Sequence, residues 1–472
     1  MASAQPGCPV LNLDILLDVM HFCDRPTKSR LSRTCKVLHE HAPWFLLEGT
    51  VKIGDRAQLK SFHRILSVDG FSRTSFLRDL QLEGENDPDL PASFGGHLVS
   101  ILQHSAHLEA LSISHVECVA VSCPGTSFLC DALSHLATLR HLRIRDAGLL
   151  ARDLVATLQL PLVSMDLEYQ EDDPDPPSDP ELQSMGDIWE ELLRDHEIPD
   201  WHPALVCEQM APTLEKLAAR FINPRSPYVP WADLGLRTYA NLHTLVLYDD
   251  WPFARPWIIS CPHLRYLTVR SLRWDPQDRD LYVLSDWEPH RQLNLDDQRA
   301  HGSWTALEEY SGDNVVALYL CGLTCRIPRL VLSEDLDEDG LVMFREILCE
   351  AKPADLVFQV AEVANTLGDP DGEGGIATLL CQNGAGSYIE NLDFRLSMGT
   401  EDISQMTRNL IRALARLPRL EKLKLKLSAE SKGPRSIRHP KAPRIHHLSH
   451  LRRGRDQRTD RTHIQEALPA AA

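Results

Sequence analysis

The sequence predicts an α/β solenoid, parallel strands on one face and helices on the other, behind a short helical module at the N-terminus. Two observations predict the stack: a phrase of the form apolar-x-x-apolar-x-apolar recurs along the body, and helical stretches stand before many of its copies. A third predicts the module: Leu11 to Leu38 is an apolar stretch, broken once by Asp24-Arg25-Pro26, with nothing secretory about its flanks.

Read as a helix, the first half of that stretch places Leu13, Leu16, Leu17, Met20 and Phe22 near one stripe. Ile15, Val19 and Phe22 widen the stripe, while Asp14, Asp18 and His21 keep the other side polar. Asn12 is the expected N-cap, because its side-chain oxygen accepts from the first-turn amides. Pro26 stops the helix, since proline cannot continue the hydrogen-bond ladder. A second run carries Leu31, Cys35 and Leu38 at i, i+4, i+7, so residues 8–50 are expected to form a helix pair. Its apolar surface is wider than two short helices cover for each other, which points to a partner or to the rest of the chain.

These residues resemble the F-box family, whose pattern runs Leu-Pro-x-Glu-Ile/Leu-Leu-x-x-Ile-Leu-x-Phe/Tyr-Leu, a Pro/Asp turn, then Leu-x-x-Val-Cys-basic-x-apolar. The chain carries Leu11, Leu13, Ile15, Leu16, Val19, Met20 and Phe22, then Leu31, Cys35, Lys36 and Leu38, and departs from the pattern at Asn12, Cys23 and Lys28. The resemblance implies that Leu11, Leu13, Ile15, Leu16, Val19, Met20, Phe22, Leu31, Cys35 and Leu38 contact a Skp-type adaptor.

The recurring phrase reads LRDLQLEG from Leu77, LEALSISH from Leu108, LRHLRIRD from Leu139, LVSMDLEY from Leu162 and LEKLAARF from Leu214. It continues as LHTLVLYD from Leu242, LRYLTVRS from Leu264, VVALYLCG from Val315, IENLDFRL from Ile389 and LEKLKLKL from Leu420. The last half alternates with period two, as a short strand with one buried face does, and the first leucine anchors the turn into it. Neither strand nor helix can bury its apolar face without neighbouring units. This resembles an irregular leucine-rich-repeat solenoid over residues 51–430, with two long spacings near 50 residues taken to hide degenerate units. Helix–strand alternation alone also permits an α/β sheet of another topology.

Two interruptions stand out. Glu168 to Glu181, EYQEDDPDPPSDPE, packs acids and prolines together and reads as a flexible insertion. Asp275 to His301, rich in Asp, Trp and Pro, reads as a long loop.

The formal net charge of −18 is uneven, because Lys432 to Arg461 carries +8 and leaves −26 for the remainder. An acidic body argues against general nucleic-acid binding, and the basic stretch 431–472, lacking apolar periodicity, is expected to be a disordered tail. The twelve cysteines follow no framework of regular spacings, which suits a reducing compartment, cytoplasmic or nuclear. No run of 18 apolar residues occurs, so membrane insertion is not expected.

No cofactor or catalytic set is expected. Asp335, Asp337, Asp339, Gly340, Val342 and Glu346 match an EF-hand calcium loop as a string, but a strand-like segment precedes them where such a loop needs a helix. The competing expectation is that these acids complement the following helix. Gly372, Gly374 and Ala377 fit a permissive dinucleotide fingerprint without the strand-to-turn adjacency it requires. His104 with His107, and His446, His447 with His450, lack the cysteine or carboxylate that would complete a zinc set. Together the two resemblances imply a substrate receptor of an SCF-type cullin-RING ubiquitin ligase, with a Skp-type adaptor and through it a cullin as partners. The alternative is a repeat scaffold with no ligase connection, its N-terminal helices serving as a terminal cap.

Overall fold

Alternation of inward leucines with polar residues builds, among the described residues, a sheet of thirteen strands that follow one another in sequence order. They are β1 (Val51–Ile53), β2 (Asp79–Leu82), β3 (Ala110–Ile113), β4 (His141–Ala147), β5 (Ser164–Tyr169), β6 (Lys216–Arg220) and β7 (Thr244–Tyr248). Then come β8 (Tyr266–Arg270), β9 (Glu309–Gly312), β10 (Arg329–Asp335), β11 (Asp355–Val360), β12 (Asn391–Met398) and β13 (Lys422–Ala429). Every pairing from β1 to β12 is parallel. Sequential order with parallel pairing is the topology of an α/β solenoid.

The structure is a computed structural model that describes residues 12–83, 91–123, 125–169, 202–220, 235–248, 252–270, 284–313, 315–336, 338–360, 375–381, 385–398 and 403–429. The gaps fall on Leu11, on most of the acidic insertion, on Asp337, on the Gly372 to Gly374 fingerprint and on the basic tail with His446, His447 and His450.

Helices α1 (Leu13–Phe22), α2 (Arg25–Leu31) and α3 (Lys36–Leu47) precede β1. Between strands come α4 (Arg56–Ser67), α5 (Ala92–His104), α6 (Val116–Ser122), α7 (Thr126–Ser134), α8 (Leu149–Thr157) and α9 (Pro203–Val206). They are followed by α10 (Ala254–Ser260), α11 (Leu284–His301), α12 (Val315–Cys321), α13 (Glu338–Ala351), α14 (Gly375–Cys381) and α15 (Ile403–Leu414). Strand residues such as Leu80, Leu111, Leu142, Leu217 and Leu245 are almost wholly buried in one continuous core with the helices. Each contributes about 1.5–3 kcal/mol relative to an exposed leucine.

The anchoring role expected of the first leucine has a visible cause. Leu77, Leu108, Leu139, Leu242 and Leu264 each donate a main-chain hydrogen bond to the carbonyl three residues back, closing a turn. The next amide then bonds to the neighbouring unit, as Glu109 does to Arg78, Arg140 to Glu109 and Arg265 to His243, so the turns are laced before pairing begins.

Four expectations are corrected. The phrase at Val315 is not a strand but α12, whose seven residues are all buried, because i, i+3, i+5 apolar spacing serves a helix buried all round as well as a strand. The strand of that unit is β9, where Tyr310 and Gly312 replace the usual aliphatics. A Cβ at Gly312 would sit 2.9 Å from the Tyr310 ring, so the glycine makes room for the larger side chain. Of the two long spacings, the later hides β9, whereas β5 pairs directly with β6 and the earlier hides no strand of the sheet. Asp275 to His301 is not all loop: its part from Leu284 on is α11, the longest helix among the described residues. The N-terminal pair is three helices, as given above.

Carboxylates also link successive units. Glu117 on α6 accepts from the Gly148 and Ala151 amides at 2.8 Å each and from Leu150 at 3.2 Å, so it caps α8 from the neighbouring unit. Beside it His115, just after β3, and Asp146, at the irregular end of β4, both adopt positive φ and lie 3.0 Å apart. Glu117→Ala strands three amides at a helix start, and urea unfolding should show a loss of about 2 kcal/mol. A loss under about 0.5 kcal/mol would show that water satisfies those amides equally well.

Candidate functional site on the N-terminal helices

The three N-terminal helices have a core of their own. Met20, Leu38, Ala42 and Phe45 are buried together, with Leu16, Leu17, Leu31 and Leu46 packed around them. Local chemistry sets the boundaries. Asn12 Oδ1 accepts from the Asp14 amide at 3.2 Å and starts α1, as the sequence predicts. Asp24 Oδ1 accepts from the Thr27 amide at 3.0 Å and starts α2, with Pro26 in its first turn. The Thr27 hydrogen bonds hold the Asp24 carboxyl below its ordinary range. Helix α2 ends at Leu31 because Thr34 turns back, its amide and hydroxyl both donating to the Leu31 carbonyl.

That break separates the predicted contact residues into two groups. Met20 and Leu38, read from the sequence as partner contacts, are interior: they are 0% and 2% exposed, and they hold the helices together rather than meeting a partner. Leu16 and Leu31 are half-buried around that core, and Cys35 is exposed at the N-cap of α3. Leu11 lies outside the described residues. Leu13, Ile15, Val19 and Phe22 remain at the surface. Ile15, Val19 and Phe22 follow i, i+4, i+7 and so share one face of α1, with Phe22 86% exposed. Trp44 and Val37 on α3 are also exposed; sequence reading missed both, because Trp44 sits in the apolar run from Trp44 to Leu47, which does not show which of its members faces outward.

The helical unit is tied to the first strands. Arg25 donates to the Thr50 carbonyl at 2.9 Å, Thr50 Oγ1 donates to Asp79 at 2.5 Å, and Leu47 at the end of α3 enters the solenoid core.

The other candidates dissolve into structure. The calcium-like string begins at the end of strand β10, and helix α13 starts at Glu338, so most of the string is helix where calcium needs a curled loop. Glu346 instead accepts from Arg291 at 2.7 Å. His104 bonds through Nδ1 to the Ser100 carbonyl and stacks on Phe71 at 4.2 Å. Among the described residues no three His, Cys, Asp or Glu side chains gather as a metal site. A groove of about 240 Å³ on the strand face runs past Asp79, Gln81, Ser112, Arg143, Arg145 and Asp166. Its arginines are engaged: Arg143 lies 2.9 Å from Asp166 and Arg145 3.8 Å from Glu168. Burial pushes the thiol of Cys207 up to about 12, so it stays protonated and unreactive at neutral pH. Among the described residues no single helix is long and apolar enough to cross a membrane. No known protein family and no curated protein matches the chain.

Proposed function

We propose that the chain is a substrate-recognition subunit of an SCF-type cullin-RING ubiquitin ligase, an F-box module followed by an irregular leucine-rich-repeat domain. The N-terminal helices bind a Skp-type adaptor, the repeat domain holds a protein substrate, and catalysis is proximity, since tethering raises the substrate's effective concentration at the loaded conjugating enzyme. What supports this reading above all is the stripe of Ile15, Val19 and Phe22, left exposed by a helical unit whose own core is already closed.

The bonds from Arg25 to Thr50 and from Thr50 to Asp79 favour a second reading, in which the helices simply cap the first edge of the solenoid. Adaptor binding separates the two. Ile15→Asp with Val19→Asp puts two charges on the exposed face and leaves Met20, Leu38 and Phe45 in place. Pull-down of purified Skp-type adaptor should fall at least about tenfold, with unchanged helical content and melting temperature. Adaptor retention by that folded double variant, or no adaptor binding by the native chain, would overturn the ligase reading.

A further inference from the structure

The outward-facing residues of the sheet change character along the stack. In the central row, paired strand to strand in register, β6 to β11 contribute Ala218, Val246, Thr268, Ser311, Val331 and Val357. The same row is charged on both sides, at Arg143 and Asp166 before it and at Asp393 and Lys424 after it. Six adjacent strands therefore share an uncharged floor of small and β-branched side chains, on the face opposite the buried leucines. Val246, Thr268, Ser311, Val331 and Val357 are half-buried, and Ala218 is buried.

Its dimensions follow from strand geometry. Six strands span about 24 Å across the sheet at roughly 4.8 Å per step. Longer side chains stand two residues to either side: Lys216 and Tyr266 along one wall, Arg220, Tyr248 and Arg270 along the other. The walls lie four residues apart, about 13 Å. A channel of that length and width accepts one α-helix of about 16 residues, which is roughly 24 Å long and 10–12 Å across. An extended strand would leave its main-chain groups unpaired over this floor, because the sheet there offers side chains and no free edge.

Charge narrows the occupant. Over β6 to β8 the walls carry Lys216, Arg220 and Arg270 and no acid, and of these Arg220 is engaged by Glu168 of β5 at 2.6 Å, which leaves Lys216 and Arg270 to meet an incoming charge. Arg270 rests 5.7 Å from the Tyr248 ring centre, and Lys216 and Arg270 are both exposed. Further along, Arg329 meets Glu309 at 3.4 Å.

We propose that this floor is the substrate-docking site and that it takes an amphipathic helix of a partner protein, its apolar stripe on Val246, Thr268, Val331 and Val357 and its acidic end over Lys216 and Arg270. The proposal rests on the substrate-receptor reading for the word substrate and on the sheet alone for the helix. Burial of the small floor supplies affinity, and the cations set which end of the helix lies over β6.

The test is a displayed library of 16-residue helices with a fixed leucine stripe and random flanking positions, selected on the purified full chain. Enriched peptides should carry Asp or Glu at one end. By fluorescence anisotropy they should bind at least tenfold more weakly to Val246→Glu/Val331→Glu, both of which change outward residues and leave the core untouched. Selection on Lys216→Glu/Arg270→Glu should favour basic ends instead. The proposal is overturned by an absence of enrichment, by enriched sequences without charge bias, or by affinities indifferent to Val246→Glu/Val331→Glu. It is equally overturned if sedimentation shows a dimer that this double change converts to monomer, which would make the floor an interface between copies. Selection needs no adaptor, so repeating it on Ile15→Asp/Val19→Asp keeps the questions apart. Unchanged selection beside failed adaptor binding by the native chain removes the ligase reading alone, and failed selection beside sound adaptor binding removes only the helix site.

Discussion

Between pH 7 and pH 5 the chain will lose about 2 kcal/mol of folding stability through one side chain, His202. Its ring is 3% exposed and packs 4.7 Å from the Trp257 ring. Nδ1 accepts from the Ala204 amide at 3.2 Å and so caps α9, a role open only to the nitrogen without a proton. Burial draws its pKa down from 6.5 to about 3. A base with a depressed folded pKa contributes its full stability above the unfolded value near 6.5. Below that pH the unfolded chain takes up a proton that the folded chain refuses, and stability falls until the folded group titrates near 3. At pH 5 the difference is about 1.5 pH units, hence the 2 kcal/mol. Urea titrations at pH 7 and pH 5 should show that His202→Asn, which retains a capping oxygen but does not titrate, lacks this part of the pH dependence. Equal pH dependence in both proteins would mean that His202 is protonated in the fold.

That histidine had no mark in the sequence, and the contrast with what was legible is instructive. Strands β2 to β8, β12 and β13 announced themselves because the apolar spacing recurs after a helical stretch or a turn, whereas the same spacing at Val315 belongs to the buried helix α12. Strand β9 did not, since Tyr310 with Gly312 solves the same packing problem with a different pair of shapes. On the N-terminal helices the apolar positions were legible, but their division was not. Periodicity marks a residue as apolar-facing without saying whether the face meets the protein or a partner, and only the closure of Met20, Leu38 and Phe45 on each other leaves Ile15, Val19 and Phe22 outside. The uncharged floor on the sheet was invisible for a different reason. Its residues come from six strands, and their adjacency exists only through the register.

Helix α11 was misread because its buried face is polar, and that face is where the second large effect lies. His290, Arg291, Asn294 and Gln298 are all less than 9% exposed, so hydropathy gives no stripe to recognise. His290, Asn294 and Gln298 are buried against the main chains of their neighbours, and Arg291 against the carboxylates of Glu346 and Glu350. Asn294 Oδ1 accepts from the Ala254 amide at 3.0 Å, at the start of α10. Its Nδ2 donates to the carbonyls of Leu320 at 2.8 Å and Pro252 at 3.0 Å. Gln298 donates to the carbonyls of Cys321 and Gly322 just beyond, at 3.0 and 2.9 Å. The Leu320, Cys321 and Gly322 carbonyls close α12, the helix buried on every side, where water is not at hand to replace the donors. Asn294→Leu keeps the volume and adds apolar area, so a hydropathy argument expects stabilisation. The hydrogen-bond argument expects the reverse: one amide and two carbonyls lose their partners at about 1–3 kcal/mol each, partly offset by the transfer gain. The net expectation is a loss of roughly 3–4 kcal/mol in urea unfolding, against less than about 1 kcal/mol for Leu293→Ala on the exposed side of the same helix. If Asn294→Leu proves neutral or stabilising, the polar face of α11 is not what completes α10 and α12, and the account of why this charged, proline-containing stretch is a helix fails with it.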